Sequence, residues 1–432
     1  MRDVKNVFVI GRKNPDLDSV TSAIGYAELK NKLVPDVDYM PVVSGNVDLN
    51  TQKVLSYFNV PIPNCITDLN LRVEEIMTRN PILSYKDSPI TEVFKAMLQN
   101  DLRVIPIVDA NSKFYGSFGM MDIAKKSISS VIPDLFRKIK TDVRSIVKAV
   151  DGTVLNGTND DKTFLATVIM GVMDVNEFVH IAQNFDMYNI IVILGNRADI
   201  QKKAIEFGVR CIVLSNGFTL SPKLLEEAKK KEVAVISSHY DAFATSGLVE
   251  WSVPVSTVCD RSSPTVKLSA LIDDVKEKVY SSRSRSVVVV DDDRKVVGIV
   301  TRTDVIKYNK RKIVLLDHSS SVDSPDGIFK CEILEILDHH KLGDIRSNRL
   351  TRYRIEPWGS TSSIVADEFF KNNIEPSKTS ALLLASGIIV NTECLSEEKI
   401  KKEDRKILEL LCEKCDIKLN DLKQELKKIV NL

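Results

Sequence analysis

The stretch VFVIGRKNPDLDS, residues 7–19, sets how the chain is built. Its apolar run Val7–Ile10 reads as a short strand, and the Asn-Pro turn behind it leads toward a helix. The turn places two carboxylates, Asp16 and Asp18, at the strand's end. Paired aspartates there are a common way to hold a divalent cation, although an aspartate in a turn also caps helices. At the head of the turn stands Arg12, whose guanidinium cannot bind a metal.

The same pattern returns near the other end. KIVLLDH (312–318) and EILEILDHH (332–340) are apolar strands that finish in Asp317-His318 and Asp338-His339-His340. YRIEPWGSTSS (353–363) follows, and the spacing beyond it predicts three helical stretches. Histidine is scarce, five in 432 residues, so three in this one region point to chemistry. His180 and His239 read as ordinary structural residues. His318 reads equally as a partner behind Asp317 or as a packed ring. Short parallel strands with intervening helices predict an α/β fold with a doubly wound parallel sheet, whose ligands sit beyond the carboxyl ends of the strands. Asp16, Asp18, Asp317, His339 and His340 are expected to converge on that edge.

An internal repeat separates these two halves. RVIPIVDANSKFYGSFGMMDIAKK (103–126) aligns without gaps to RSVVVVDDDRKVVGIVTRTDVIKY (285–308) at a constant offset of 182. Arg103, Asp109, Lys113, Gly116 and Asp122 fall on Arg285, Asp291, Lys295, Gly298 and Asp304. A helical stretch precedes each copy, giving helix, strand, polar turn, strand, helix. The copies resemble CBS modules, which pair through their sheets and bind adenine nucleotides in the clefts between them. That resemblance implies a ribose site at Thr301 and Asp304 of the second copy. The first copy keeps Asp122 but has Gly119 where the hydroxyl would be.

Between the copies, NIIVILG (189–195), VRCIVLSNG (209–217) and EVAVISSH (232–239) alternate with amphipathic helices, which predicts a small α/β domain with a parallel sheet. With NRADIQ at 196–201 it resembles the DRTGG domain, although Ser215-Asn216-Gly217 replaces the signature Thr-Gly-Gly. The expected organisation is therefore 1–67 and 311–432 as two parts of one domain, with 68–128 and 250–310 as the CBS copies and 129–249 as the DRTGG-like domain.

Composition excludes several classes. The chain is 44% hydrophobic and 28% charged, with 60 basic against 59 acidic residues, so no global field favours nucleic acid or an anionic membrane. No basic-aromatic array suggests a nucleic-acid interface, and runs such as KKK (229–231) and KKEDRK (401–406) read as solvated helix faces. No apolar run reaches membrane-spanning length and no signal-peptide core is present, so a cytoplasmic protein is expected. Seven scattered cysteines read as reduced thiols, and Cys412–Cys415 is a CxxC without a second pair.

Together NPDLDS, LLDH, LDHH and the Gly-Ser-Thr stretch at 359–361 closely resemble the DHH phosphoesterases. Over essentially the whole chain the resemblance is to family II inorganic pyrophosphatases carrying a CBS–DRTGG–CBS insert. In that family two cations activate a bridging water that attacks pyrophosphate. The resemblance implies one cation on Asp16 and Asp317 and another on Asp18, Asp317 and His339, with His340 donating to phosphate. It implies Mn2+ or Co2+, with Mg2+ as a further candidate, and AMP, ADP or a related adenine nucleotide as regulator. It also implies a homodimer through the CBS modules, with no nucleic-acid or membrane partner.

Three departures accompany it. Arg12 stands where the family has histidine, and Asn391, in GIIVNTECL (387–395), stands where it has aspartate. The chain also stops at Leu432, about where the linker to the family's second domain begins. His to Arg and Asp to Asn move the site by about two positive charges, the charge of one divalent cation. A guanidinium ~4 Å from a divalent ion is repelled by roughly 8 kcal/mol at an effective dielectric of 20, as a ceiling. The same guanidinium forked onto Asp16 or Asp18 is well satisfied. The expectation is a pyrophosphatase by lineage that holds at most one metal ion and whose catalysis is weak or lost. The alternative is a non-catalytic protein that senses adenine nucleotides through its insert. A DHH nuclease acting on short oligonucleotides is a third and weaker reading.

Overall fold

A computed structural model describes residues 5–131, 137–157, 162–347 and 349–430, so Leu432 lies outside it. The chain divides into two units, Met1–Leu71 with Tyr308–Leu432, and Arg72–Lys307.

In the first unit, numbered within itself, β1 (Lys5–Lys13), α1 (Leu17–Leu33), β2 (Val37–Ser44), α2 (Leu49–Tyr57) and β3 (Asn64–Cys65) come from the N-terminal part. β4 (Lys312–Leu316), β5 (Glu332–Asp338), β6 (Arg352–Ile355) and helices α3 (Thr361–Lys371), α4 (Lys378–Asn391), α5 (Lys402–Cys415) and α6 (Leu419–Val430) come from the C-terminal part. The strands form one sheet in the order β6-β5-β4-β1-β2-β3, and every neighbouring pair is parallel. The fold is thus the α/β class read from the sequence, and the sheet winds outward in both directions from the β1–β4 pair. That pair is the topological switch point, where crevices open beyond the carboxyl ends of the strands.

Alternation along β1 splits the core. Val7 and Val9 join Val314, Leu337 and the residues of α1, α3 and α4 on one face, while Ile10 packs with Ile313, Leu315 and Ile336 on the other. α1 and α4 approach closely because each brings a glycine. A Cβ on Gly25 would lie 3.0 Å from Leu384, and one on Gly387 would meet Thr21 Oγ1 at 2.4 Å and Ser362 Oγ at 2.5 Å. Four helices follow β6 where the spacing predicts three. The difference is Asp416, whose left-handed backbone (φ 53°) ends α5 and separates it from α6.

In the second unit each repeat copy is a helix, an antiparallel strand pair and a second helix: Ile90–Gln99, Val104–Val108, Phe114–Gly119 and Met120–Val131, then Ile272–Ser281, Ser286–Val290, Val296–Thr301 and Arg302–Lys307. Their mutual contacts obey the same offset of 182. Ser117 bridges to Asp260 and Ile299 pairs with Thr78; Arg72 bridges to Leu271 and Pro254 to Pro89; Lys113 meets Lys295 on the pseudo-two-fold axis. Between the copies lies a six-stranded sheet whose four central strands, Phe164–Met170, Ile190–Leu194, Cys211–Leu214 and Ala234–Ser237, are parallel. Two antiparallel edge strands that the sequence pattern did not reveal, Arg137–Thr141 and Thr153–Asn156, complete it. No helix among the described residues is long and apolar enough to cross a membrane.

Candidate metal centre

The carboxyl ends of β1, β4 and β5 deliver the expected acids and imidazoles to one place. Asp317 sits immediately after β4 in the left-handed backbone region (φ 62°), which turns its carboxylate into the crevice. Ser19 Oγ donates to its Oδ2, and Thr361 Oγ1 donates to its Oδ1 at 3.1 Å. Asp18 is held by the N-terminus of α3. Ser360 Oγ and the Ser362 amide donate to its Oδ1 at 2.6 and 2.9 Å, and the Thr361 amide donates to Oδ2 at 2.8 Å. Asp16 caps α1, accepting from the Ser19 amide at 3.1 Å, so the capping and site roles coincide in one residue.

The three carboxylates repel one another. Burial, then the charges of Asp18 and Asp16, push Asp317 well above the usual carboxylate range. Burial, then the charge of Asp18, raise Asp16 as well. The cluster therefore asks for positive charge.

Both histidines after β5 face this cluster. The Trp358 carbonyl, which can only accept, lies 3.2 Å from His339 Nδ1. Nδ1 therefore carries a ring proton, and Nε2 faces Asp317 Oδ1 at 3.5 Å and Asp18 Oδ2 at 3.9 Å. His340 Nδ1 donates to Asp338 Oδ1 at 2.8 Å. That bond, reinforced by the charge of Asp317, raises the His340 pKa. Burial works against ionisation of Asp338, but the bonds from His340 outweigh it and hold its pKa down. His318 is the exception. It is buried with its ring nitrogens on the Leu316 carbonyl and Ser324 Oγ, and burial lowers its pKa, so it packs as a neutral ring.

Arg12 and Asn391 supply hydrogen-bond donors. Arg12 Nη2 donates to Asp16 Oδ2 at 2.8 Å, by one prong rather than a fork, and its Nε is buried without a partner. The pair is about one-third exposed, so it is worth no more than roughly 1 kcal/mol. Asn391 Nδ2 lies 3.0 Å from the Gly359 carbonyl, 3.3 Å from Asp18 Oδ2 and 3.4 Å from His339 Nε2. The Gly359 carbonyl and Asp18 are acceptors, so a carboxylate at position 391 would face them without a donor of its own.

Among the described residues Asp317, His339 and His340 offer ligand atoms within 4.8 Å of one another, and Asp18 adjoins them. This mixed oxygen and nitrogen set suits Mn2+ or Co2+, and one divalent cation fits. The Arg12 guanidinium lies beside this group, on Asp16 Oδ2.

Residues to which the sequence reading gave no site role hold this arrangement. Ser19, Ser360, Thr361 and Ser362 fill the carboxylates. Asp404, fully buried, accepts from the Gly359 and Lys401 amides at 2.8 Å each and from Ser363 Oγ at 2.5 Å. The Gly-Ser-Thr-Ser-Ser run before an apolar helix was the available signal, as an N-cap. Cys412 and Cys415 are buried in the first unit's core, and burial raises both thiol pKa values. In the second unit Asp304 Oδ2 accepts from the Thr301 amide and hydroxyl at 2.8 and 2.7 Å, and Asp122 Oδ2 accepts from the Gly119 amide at 3.0 Å.

Comparison with known proteins matches residues 73–129 and 255–311 to the CBS domain and 145–252 to the DRTGG domain. The chain is 32% identical over 414 residues to the cobalt-dependent inorganic pyrophosphatase of Clostridium perfringens, covering 96% of this chain and 74% of that one. It is 32% identical over 432 residues to the probable manganese-dependent inorganic pyrophosphatase of Thermotoga maritima, covering 100% of this chain and 77% of that one. A crystal structure of the CBS and DRTGG domains of the C. perfringens regulatory region, complexed with its activator diadenosine tetraphosphate, aligns with a TM-score of 0.47 at 25% identity, over 54% of this chain and 100% of that one. With two such relatives matched over nearly all of this chain and about three quarters of their own length, the chain belongs to the family II metal-dependent inorganic pyrophosphatases that carry a CBS–DRTGG insert.

Proposed function

We propose that this chain is a pyrophosphatase-family protein whose centre takes one divalent cation in place of two and hydrolyses pyrophosphate weakly or not at all, under the control of an adenine nucleotide. The observation that supports the reading is the Arg12–Asp16 contact at 2.8 Å, which sets a cationic side chain against one of the expected ligands. Asp18, Asp317 and His339 would hold the remaining ion. Mn2+ or Co2+ bound there would supply positive charge to a phosphoanhydride oxygen. His340, with Nδ1 committed to Asp338 and a raised pKa, keeps Nε2–H free to donate to a phosphate oxygen. Asn391 and Arg12 offer further donors to the same anion. A protein that binds nucleotide without catalysis is the second reading, and the same contact favours it.

The nucleotide belongs in the Thr301–Asp304 cleft, with Asp122 as the first-copy counterpart. A second copy of the chain is the partner this reading expects across the repeat helices. Leu98 and Tyr280, exposed at equivalent positions of the two copies, and Met121 and Ile306 give those helices an apolar face.

The test is phosphate release from pyrophosphate with Mn2+ or Co2+, with and without AMP or ADP, for the native chain and an Arg12→His/Asn391→Asp variant. The variant should gain roughly tenfold or more in metal affinity or turnover. Two tightly bound Mn2+ ions in the native chain, or native turnover equal to the variant's, would overturn the reading.

A further inference from the structure

The two repeat copies of the second unit are related by pseudo-symmetry, yet only in the first does a cation from the other copy stand beside the helix-start aspartate. In each copy the aspartate at the start of the last helix uses Oδ2 to accept from the backbone three residues earlier: Asp304 from Thr301, Asp122 from Gly119. Oδ1 is therefore the acceptor left for a diol. In the second copy Asp304 Oδ1 has no hydrogen-bond or ion-pair partner among the described residues. In the first copy Arg283, reaching over from the second, places Nη2 3.6 Å from Asp122 Oδ1 and Nη1 4.0 Å from Asp260 Oδ2.

The offset of 182 shows what differs. The counterpart of Arg283 is Asp101, and the counterpart of Asp260 is Thr78. The first cleft thus holds two carboxylates with a guanidinium between them. At the second, the equivalent positions contribute no cation. A ribose hydroxyl entering the first cleft must displace an ion pair whose carboxylates are nine-tenths buried, and Gly119 offers no hydroxyl in exchange.

Resting on the nucleotide reading above, we infer that Arg283 is an internal occupant of the first cleft, so that each chain binds one adenine nucleotide, at Thr301–Asp304. The guanidinium closes one of two inherited sites and makes the pair asymmetric.

Equilibrium dialysis of AMP against the full chain counts the sites. The native protein should bind one AMP, Asp304→Ala none, and Arg283→Ala two, the second at least about tenfold more weakly for want of a hydroxyl at position 119. Arg283→Lys keeps the charge and should still bind one, which separates loss of charge from loss of fold. Two AMP per native chain, or a single site in Arg283→Ala, would overturn the inference. So would one AMP that survives Asp304→Ala and vanishes in Arg283→Ala, since Arg283 would then be a ligand contact. If the native chain binds no AMP, the nucleotide reading itself fails and the inference falls with it.

Discussion

The Thr361 amide donates to Asp18 Oδ2 at 2.8 Å, joining positions 343 residues apart in sequence. The N-terminus of α3 thereby anchors the turn that follows β1, and Ser360 completes the anchor by both capping α3 and donating to Asp18. Ser360→Ala removes both interactions. It should cost about 1–2 kcal/mol, which thermal unfolding of the metal-free chain would register as a fall of several degrees. An unchanged melting temperature would show that the anchor is redundant.

Asp404 supports the same corner from behind. Its carboxylate serves two amides and a hydroxyl while fully buried, so Asp404→Ala leaves three donors without an acceptor. A loss on the order of 3 kcal/mol is expected. Because Gly359 and Trp358 orient Asn391 and His339, Mn2+ affinity should fall with it. Destabilisation with unaltered metal affinity would separate Asp404 from the centre.

Stability should depend on pH in a direction unusual for carboxylates. Asp16 and Asp317 have raised pKa values, so their folded forms hold protons more tightly than the unfolded chain does. Stability is then lost as pH rises from the ordinary value of 3.8 through the folded values. His340, raised from 6.5, adds to the same trend: its contribution is complete below 6.5 and lost above. Asp338 acts oppositely, with a contribution present above 3.8 and lost below it. His318, whose pKa burial lowers from 6.5, opposes the trend below that pH. The metal-free chain should therefore melt at progressively lower temperature between pH about 6.5 and 8, and Mn2+ should reverse the decline. Asp317→Asn should flatten the profile and stabilise the metal-free chain by about 1 kcal/mol, since asparagine also tolerates the left-handed backbone. A metal-free melting temperature that climbs across this range would show that the cluster is not under charge repulsion.

The repeat glycines Gly116 and Gly298 should not tolerate alanine equally. A Cβ at Gly116 would meet the Asp260 carbonyl oxygen at 2.9 Å, which is backbone. At Gly298 the nearest atom is Met77 Sδ at 2.4 Å, the end of a flexible side chain, with the Thr78 carbonyl oxygen at 3.2 Å. Gly116→Ala should cost about 2–3 kcal/mol and Gly298→Ala about 1 kcal/mol. Equal losses in denaturant unfolding would contradict the role assigned to Met77.

These glycines also mark the limit of what the residues alone reveal. Their spacing exposed the repeat, but not that backbone from the other copy crosses over each of them, because that contact joins segments a hundred residues or more apart. Asp16, Asp18, Asp317, His339 and His340 were legible for a local reason: each follows an apolar run at a strand's carboxyl end, where a parallel sheet gathers its ligands. The donors around them were not. Ser360 and Thr361 were read within the Gly-Ser-Thr motif, but only the folded chain shows that they and Ser362 donate to Asp18. Arg283 was invisible for the same reason, since its partner Asp122 belongs to the other copy. Asp416 broke a predicted helix through its own backbone conformation, which its residue type does not announce.

The division of the first unit between the chain's two ends bears on how the protein is made. β1 and β4 are hydrogen-bonded neighbours at the centre of the sheet, yet the whole of Arg72–Lys307 is translated between them. At ribosomal rates of about 5–20 residues per second, the N-terminal β-α-β segment waits roughly 10–50 s with its inner edge unpaired. The inserted unit is continuous and can complete itself in that interval. Birth order thus runs opposite to chain order: the regulatory body is finished first, and the crevice that gathers Asp16, Asp18 and Asp317 closes only when the last third of the chain arrives.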